Sequence, residues 1–137
     1  MPELCTDSAR VLNEFFMMAL YKEGEWFCRG IGNLHGLQIS LGGQAITLKK
    51  MGRLEESLSC RKKREDICRK IGNIHSLKNS IGGQAAVLID MGRHSEAALE
   101  KAEESLKLAE EGGFGNLVDQ LRSLRDNIRM SMMFRIH

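Results

Sequence analysis

The sequence has little proline, few aromatic residues and no long apolar run, and each shortage excludes a class of protein. A single proline stands against 14 glycines in a composition otherwise rich in helix formers, which favours an all-α chain whose turns are made by glycine. The longest apolar run, residues 15–21, is far too short to span a bilayer as a helix. Acidic residues precede this run, whereas a secretory signal carries basic ones there.

An excess of charge of either sign is also missing. Lys and Arg number 20 against 18 acidic residues, for a net charge of +2, so no global field attracts nucleic acid or an anionic membrane. The basic run Arg61–Arg64 is followed directly by Glu65 and Asp66, and no aromatic residues are interleaved with it. This pattern predicts a solvated outer helix face. We therefore expect neither a nucleic-acid partner nor a membrane partner.

Cysteine is the next scarce residue, with four copies in the chain. Cys28 and Cys68 lie 40 positions apart in matching sequence contexts, so they are expected on neighbouring, equivalent helices. Packed helices lie about 8–10 Å apart, whereas a disulfide needs Cα atoms roughly 4.4–6.8 Å apart. The two thiols should stay reduced, which indicates a cytoplasmic protein.

One stretch of the sequence is a tandem repeat. Pairing residues 28–56 with residues 68–96 gives 17 identities in 29 pairs without a gap, including Gly-Gly-Gln-Ala and Met-Gly-Arg in both copies. A fixed period of 20–50 residues is typical of repeat proteins, in which each unit buries its apolar face against its neighbours. The chain is therefore predicted to be one repeat domain.

Apolar residues at steps of three and four predict about six helices in this domain, residues 1–137. Residues up to Thr6 are expected to be a loose end. The predicted parts are a leading helix over residues 8–29, a repeat over 31–70, a repeat over 71–111 with its second helix from Ser95, and a terminal helix over 115–135. The glycines end the helices, and Asn33 is a candidate cap for the helix that follows it.

The repeat resembles the tetratricopeptide repeat, in its longer subclass with a period of 40 residues. The small residue of the family's first helix falls on Ala45 and Ala85, and the large residue three positions on falls on Leu48 and Leu88. The turn glycine falls on Gly52 and Gly92, followed by Glu at positions 56 and 96. Ser57 stands where the family usually has alanine, and no proline closes either unit.

This resemblance implies an α-solenoid of antiparallel helix pairs wound as a right-handed superhelix. It also implies a scaffold that binds a peptide or protein segment in a concave groove formed by the first helices. The alternatives left open are a self-association module and a sensor fragment of a larger signalling protein. Five of the seven aromatic residues lie in the leading helix, either as an apolar end that closes the stack or as a docking patch.

The two copies predict where the groove lies. Core positions keep their residue type, whereas the neighbouring stripe changes from Ile39 to Asn79 and from Lys50 to Asp90. In the family, the stripe beside the core faces the groove. The candidate groove residues are Ile39, Gly42, Gly43, Ile46, Lys49, Lys50, Asn79, Gly82, Gly83, Ala86, Ile89, Asp90, Asp119, Arg122, Asp126 and Arg129. Bare backbone at the paired glycines is expected to deepen the groove.

No residue set predicts catalysis, a metal or a cofactor. The Gly-Gly pairs lie inside predicted helices, whereas a phosphate-binding loop lies between a strand and a helix. His35 and His75 are repeat equivalents about one interhelix distance apart, too far for a shared zinc ion, so they are expected to be structural. Gln44 and Gln84 are expected to form a hydrogen-bonded ladder between successive first helices, with ligand contact as the alternative.

Overall fold

The computed structural model describes residues 2–93 and 96–136 of the chain. Six α-helices and no strand occur in these ranges, which confirms the predicted all-α class. The helices are α1 (Pro2–Ile31), α2 (Leu34–Lys50), α3 (Leu54–Ile71), α4 (Ile74–Asp90), α5 (Glu96–Glu111) and α6 (Gly115–Ile136).

The leading helix is longer than the sequence pattern predicted. Helix α1 begins at Pro2 rather than Ser8, so the expected loose end is helical, and it runs on to Ile31. Proline suits the first turn of a helix because its missing N–H would have no intrahelical partner there. Ser95, the expected start of α5, lies outside the described residues.

Left-handed glycines and asparagine caps form the turns, as the sequence predicted. Gly52 has a φ of 78°, and the next N–H, that of Arg53, donates to the Leu48 carbonyl over 2.9 Å. This hydrogen bond is typical of a helix C-terminus that is followed by a residue in the left-handed backbone conformation. At the opposite end, the Asn33 side chain accepts from the Gly36 N–H at 2.9 Å. These two devices keep the links between successive helices short.

The chain divides into two compact units, Met1–Arg64 and Glu65–His137. In the first unit, α1 packs along α2, and Met18, Ala45, Leu48 and Cys60 form a buried cluster from three helices. Ser57, at the position where alanine was expected, is also buried. Its hydroxyl donates to the Ala45 carbonyl at 2.7 Å, so the polar atom at this position is satisfied.

In the second unit, α5 packs against both α4 and α6. Cys68, Leu77 and Ile81 form its buried cluster, and the half-buried Leu108 covers them. Small residues line α5 on its inner face and let its neighbours approach. The buried residues of α5 are Ala98, Ala102, Ser105, Leu106 and Ala109.

The four pairs of apolar positions that keep their residue type in both copies are core positions, as predicted. All eight are buried, four on α2 and four on α4. They are Leu37, Leu41, Ala45, Leu48, Leu77, Ile81, Ala85 and Leu88.

Candidate groove along the first helices

The predicted stripe on α2 lies beside the core positions and is mostly exposed. Ile39 and Ile46 are 52% and 50% exposed, and Lys49 and Lys50 are exposed as well. These two isoleucines present apolar surface to solvent, and the two lysines give the end of the same helix a positive charge.

A cavity of about 490 Å³ runs between α1 and α2. Three candidate residues, Gly43, Ile46 and Lys50, line it together with Thr47. The opposite wall comes from α1, which sequence reasoning missed: Arg10, Asn13, Glu14, Met17 and Tyr21. Comparing the two repeat copies does not reveal this wall, because the repeat equivalent of Tyr21 is Arg61, a different residue type.

Side chains lie against Gly42 and Gly43 of α2, so their backbone is not left bare as the sequence predicted. An alanine Cβ at position 43 would overlap the Tyr21 ring, and one at position 42 would lie 2.9 Å from Arg64 Cζ. Arg64 Nε also donates to the buried Gln38 at 3.0 Å. Arg64 is therefore packed against α2, so only part of the basic run forms the expected solvated face.

Replacing Gly43 by alanine is expected to lower the free energy of unfolding by about 1–3 kcal/mol, because the added methyl group overpacks the site against Tyr21. An alanine inside a helix normally gains about 0.5–1 kcal/mol over glycine. Gly30→Ala is the matched control, since a Cβ there has no heavy atom within 4 Å. Urea unfolding of both variants measures the difference, and stabilisation by both would contradict the Tyr21 contact.

On α4, the stripe is less exposed than on α2. Asn79 and Asp90 are exposed, while Ala86 and Ile89 are half-buried. A small cavity of about 140 Å³ is lined by three candidates and by four further residues of α4, α5 and α6. Its lining residues are Lys78, Asn79, Gly82, Gly83, Ser105, Leu117 and Leu121.

The candidates on α6 are exposed, and their charges are paired. Arg122 lies 3.3 Å from Glu110 and 3.9 Å from Asp119, and Arg129 lies 2.6 Å from Glu103. Asp126 pairs with the adjacent Arg125 at 3.1 Å. Asp119 and Arg122 line a cavity of about 350 Å³ at the turn between α5 and α6. The structure therefore does not gather all four into one site.

The two repeat glutamines bind glutamates, which corrects the predicted ladder between first helices. Gln44 Nε2 donates to Glu25 of α1 at 2.7 Å, and Gln84 Nε2 donates to Glu65 of α3 at 2.6 Å. Glu25 and Glu65 are themselves 40 positions apart. Extending the repeat pairing by three residues toward the N-terminus would have found this identity.

Each glutamate also receives an arginine from the next turn of its helix. Arg29 lies 2.9 Å from Glu25 and Arg69 lies 3.1 Å from Glu65. Lys101 Nζ adds a third donor to Glu65 at 3.0 Å. Burial alone would raise the pKa of Glu65, but the bonds from Gln84, Lys101 and Arg69 outweigh it and hold this pKa below its ordinary value. The pKa of Glu25 is lowered in the same way, chiefly by Gln44 and Arg29 against burial.

Glu65→Gln is expected to cost about 1.5–3 kcal/mol at neutral pH, because charge-assisted bonds are lost. Since the folded pKa is depressed, this contribution is complete above the unfolded pKa of 4.5 and is lost as pH falls through the folded value. The difference between wild type and variant should therefore shrink in acid. Urea unfolding at pH 7 and in acid tests this, with the exposed Glu100→Gln as control; a difference independent of pH would contradict it.

Lys78 of α4 is a buried cation, at 1% exposure. Its Nζ lies 4.2 Å from the centroid of the Phe114 ring and has no hydrogen-bond partner within the described ranges. Desolvation by burial lowers its pKa. The same Phe114 ring lies 5.2 Å from the ring of His75, which gives that histidine a packing contact beside the turn.

The rest of the described chain shows no other candidate chemistry. Within residues 2–93 and 96–136, no three His, Cys, Asp or Glu side chains are grouped so that they could hold a metal ion. Cys28, Cys60 and Cys68 form no disulfide bond within the described residues. None of the helices, over the same ranges, is both long and apolar enough to cross a membrane.

Comparison with known proteins adds no assignment. No protein-family model matches the sequence. No curated protein matches it either.

Proposed function

We propose that the protein is a non-catalytic, cytoplasmic scaffold of the tetratricopeptide type. In this proposal the helix pairs form an α-solenoid, and the first helices bind a peptide or protein segment without any cofactor. The observation that carries the proposal is the cavity between α1 and α2. It places Ile46 and Lys50, two residues that differ between the copies, beside an open space of about 490 Å³.

The chemistry of this cavity suits a peptide. Ile46 is half exposed and Met17 lies on the opposite wall, so apolar side chains have surface to bury against. Arg10, Asn13 and Lys50 supply polar groups around it. Apolar surface with a few polar groups is typical of ligand sites. Protein is therefore preferred over nucleic acid or membrane as the partner.

The test uses a peptide that the purified protein has selected from a random display library. Lys50→Glu is expected to weaken its binding at least tenfold, because reversing the charge of this lining residue makes the cavity repel what it attracted. Substitutions at exposed positions usually change the free energy of unfolding little, so helicity and melting temperature should stay nearly constant. The exposed Lys62→Glu on α3 is the control. Unaltered binding would remove this groove from consideration.

Self-association is the second candidate, favoured by the aromatic face of α1. Phe15, Phe16, Trp26 and Phe27 are all exposed, and Trp26 reaches 79%. Tyr21 is the one aromatic residue of α1 that packs inward on α2. Contiguous exposed apolar surface marks interaction sites. Solution mass across a concentration series tests this candidate, and a monomer at every concentration would exclude it.

A further inference from the structure

Lys78 carries a buried ammonium group, and none of the described residues supplies an anion to it. It is 1% exposed, and its Nζ has neither a hydrogen-bond partner nor an ion-pair partner among the residues described. The Phe114 ring face, with its centroid 4.2 Å from Nζ, makes a cation–π contact with this ammonium. A buried charge is normally paired, because desolvation costs more than a ring face returns.

In the first unit, the position equivalent to Lys78 has a hydrogen-bond partner. Gln38 stands there, and it accepts a hydrogen bond from Arg64 at 3.0 Å. The counterparts in the second unit are Lys78 and Glu104, a pair with the charges needed for attraction. However, Glu104 is held by Arg69 at 2.6 Å. The carboxylate that the repeat pattern offers Lys78 is therefore engaged elsewhere.

An open space adjoins this lysine. The cavity of about 140 Å³ between α4, α5 and α6 has Lys78, Asn79 and Ser105 in its wall, and no acidic residue lines it. Ser105 Oγ donates to the Lys78 carbonyl at 3.0 Å, which fixes α5 against α4 at this point. The volume is several times the roughly 30 Å³ that one water occupies in the liquid, so a small organic anion fits.

We propose that this cavity is a subsite for one carboxylate group, with the Lys78 ammonium as its counterion and the Asn79 amide at its entrance. A single lysine matches one negative charge. Dianionic phosphates are bound by arginine clusters or by the free N–H groups of helix N-termini. Here Gly82 and Gly83 lie in the interior of α4, and the N–H of Leu117, in the first turn of α6, already donates to the Phe114 carbonyl at 3.0 Å. When the carboxylate belongs to an acidic residue of a bound segment, the subsite rests on the proposed function.

The probe is sodium acetate, titrated into chain labelled with ¹⁵N at lysine and asparagine and observed by NMR, against sodium chloride at equal ionic strength. Acetate is expected to shift the Lys78 and Asn79 side-chain signals saturably, and chloride is not. Lys78→Gln should weaken the response more than tenfold, while the exposed Lys62→Gln retains it. Leu121→Phe, which fills the cavity and keeps the lysine, should also abolish the response.

Three results would overturn the subsite. The first is an equal response to chloride and acetate, and the second is a response that survives both Lys78→Gln and Leu121→Phe. The third is an acetate response that appears only after Glu104→Gln, which would show that Lys78 is neutralised within the chain. Amide dispersion in each variant's spectrum shows that it is folded.

A second experiment, with the library-selected peptide, shows whether the carboxylate belongs to a bound peptide or to a free small molecule. If an acidic residue of the peptide occupies the subsite, replacing that residue by its amide and adding acetate should each weaken binding, and Lys78→Gln should remove both effects. Peptide binding that depends on Lys50 but ignores acetate and Lys78, while acetate still shifts the Lys78 signal, would support the subsite for free carboxylates alone and leave the proposed function standing. Saturable acetate binding at Lys78 without any peptide binding would support the subsite for free carboxylates alone.

Discussion

Replacing Ile81 by alanine is expected to lower the free energy of unfolding by about 2–5 kcal/mol, the largest loss we expect from one apolar truncation. Ile81 is 0% exposed, and it packs with Cys68 and Leu77 under Leu108. Alanine removes three carbon atoms from this cluster. The neighbours lie on two helices besides its own, so they cannot collapse fully into the space.

Ile46→Ala is the control for the Ile81 variant. It makes the same chemical change on the groove stripe of α2, at a residue that is half exposed, and should cost under about 1 kcal/mol. Urea unfolding of the two variants beside wild type gives both values. Equal losses at positions 46 and 81 would contradict the assignment of one stripe to the core and the other to the surface.

Replacing Lys78 by methionine is expected to raise the free energy of unfolding by about 1–3 kcal/mol in buffer without carboxylates. Methionine keeps much of the side-chain volume and removes an ammonium with no hydrogen-bond partner; exchanging buried charge for apolar groups is often stabilising by this amount. The exposed Lys62→Met on α3 should change stability by less than about 0.5 kcal/mol.

The Lys78 variant also has an expected pH dependence. Burial lowers the pKa of Lys78, so between the folded and unfolded pKa values the unfolded chain binds more protons. The stability of the wild type should therefore rise with pH toward 10.5, and the advantage of Lys78→Met should shrink over that range. Urea unfolding across alkaline pH measures this. Destabilisation by Lys78→Met in carboxylate-free buffer would show that the ammonium has a partner in solution.

The core and the turns could be predicted from the sequence because the repeat holds them constant. Leu41 and Ile81, or Ala45 and Ala85, keep their type in both copies since each is packed on several sides. Gly52 and Gly92 keep theirs because their positive φ suits only glycine. Comparing the two repeat copies of one chain therefore distinguishes buried positions from exposed ones without the help of any other sequence.

The partners of polar residues could not be predicted in the same way. A glutamine present in both repeat copies shows that a hydrogen bond is needed but not on which helix its acceptor lies, so the sequence predicts the wrong neighbour for Gln44. The burial of Lys78 was also unforeseen, because lysine is rarely fully buried and its counterpart is the neutral Gln38. The wall that α1 adds to the candidate groove depends on Tyr21, which the repeat does not duplicate.

The most direct test of the binding account is an NMR footprint of the library-selected peptide on the ¹⁵N-labelled chain. The account predicts that the largest amide shifts fall on the α2 wall of the cavity, at Gly43, Ile46 and Lys50. Shifts confined to the exposed aromatic face of α1, around Phe16 and Trp26, would contradict it and assign binding to that helix instead.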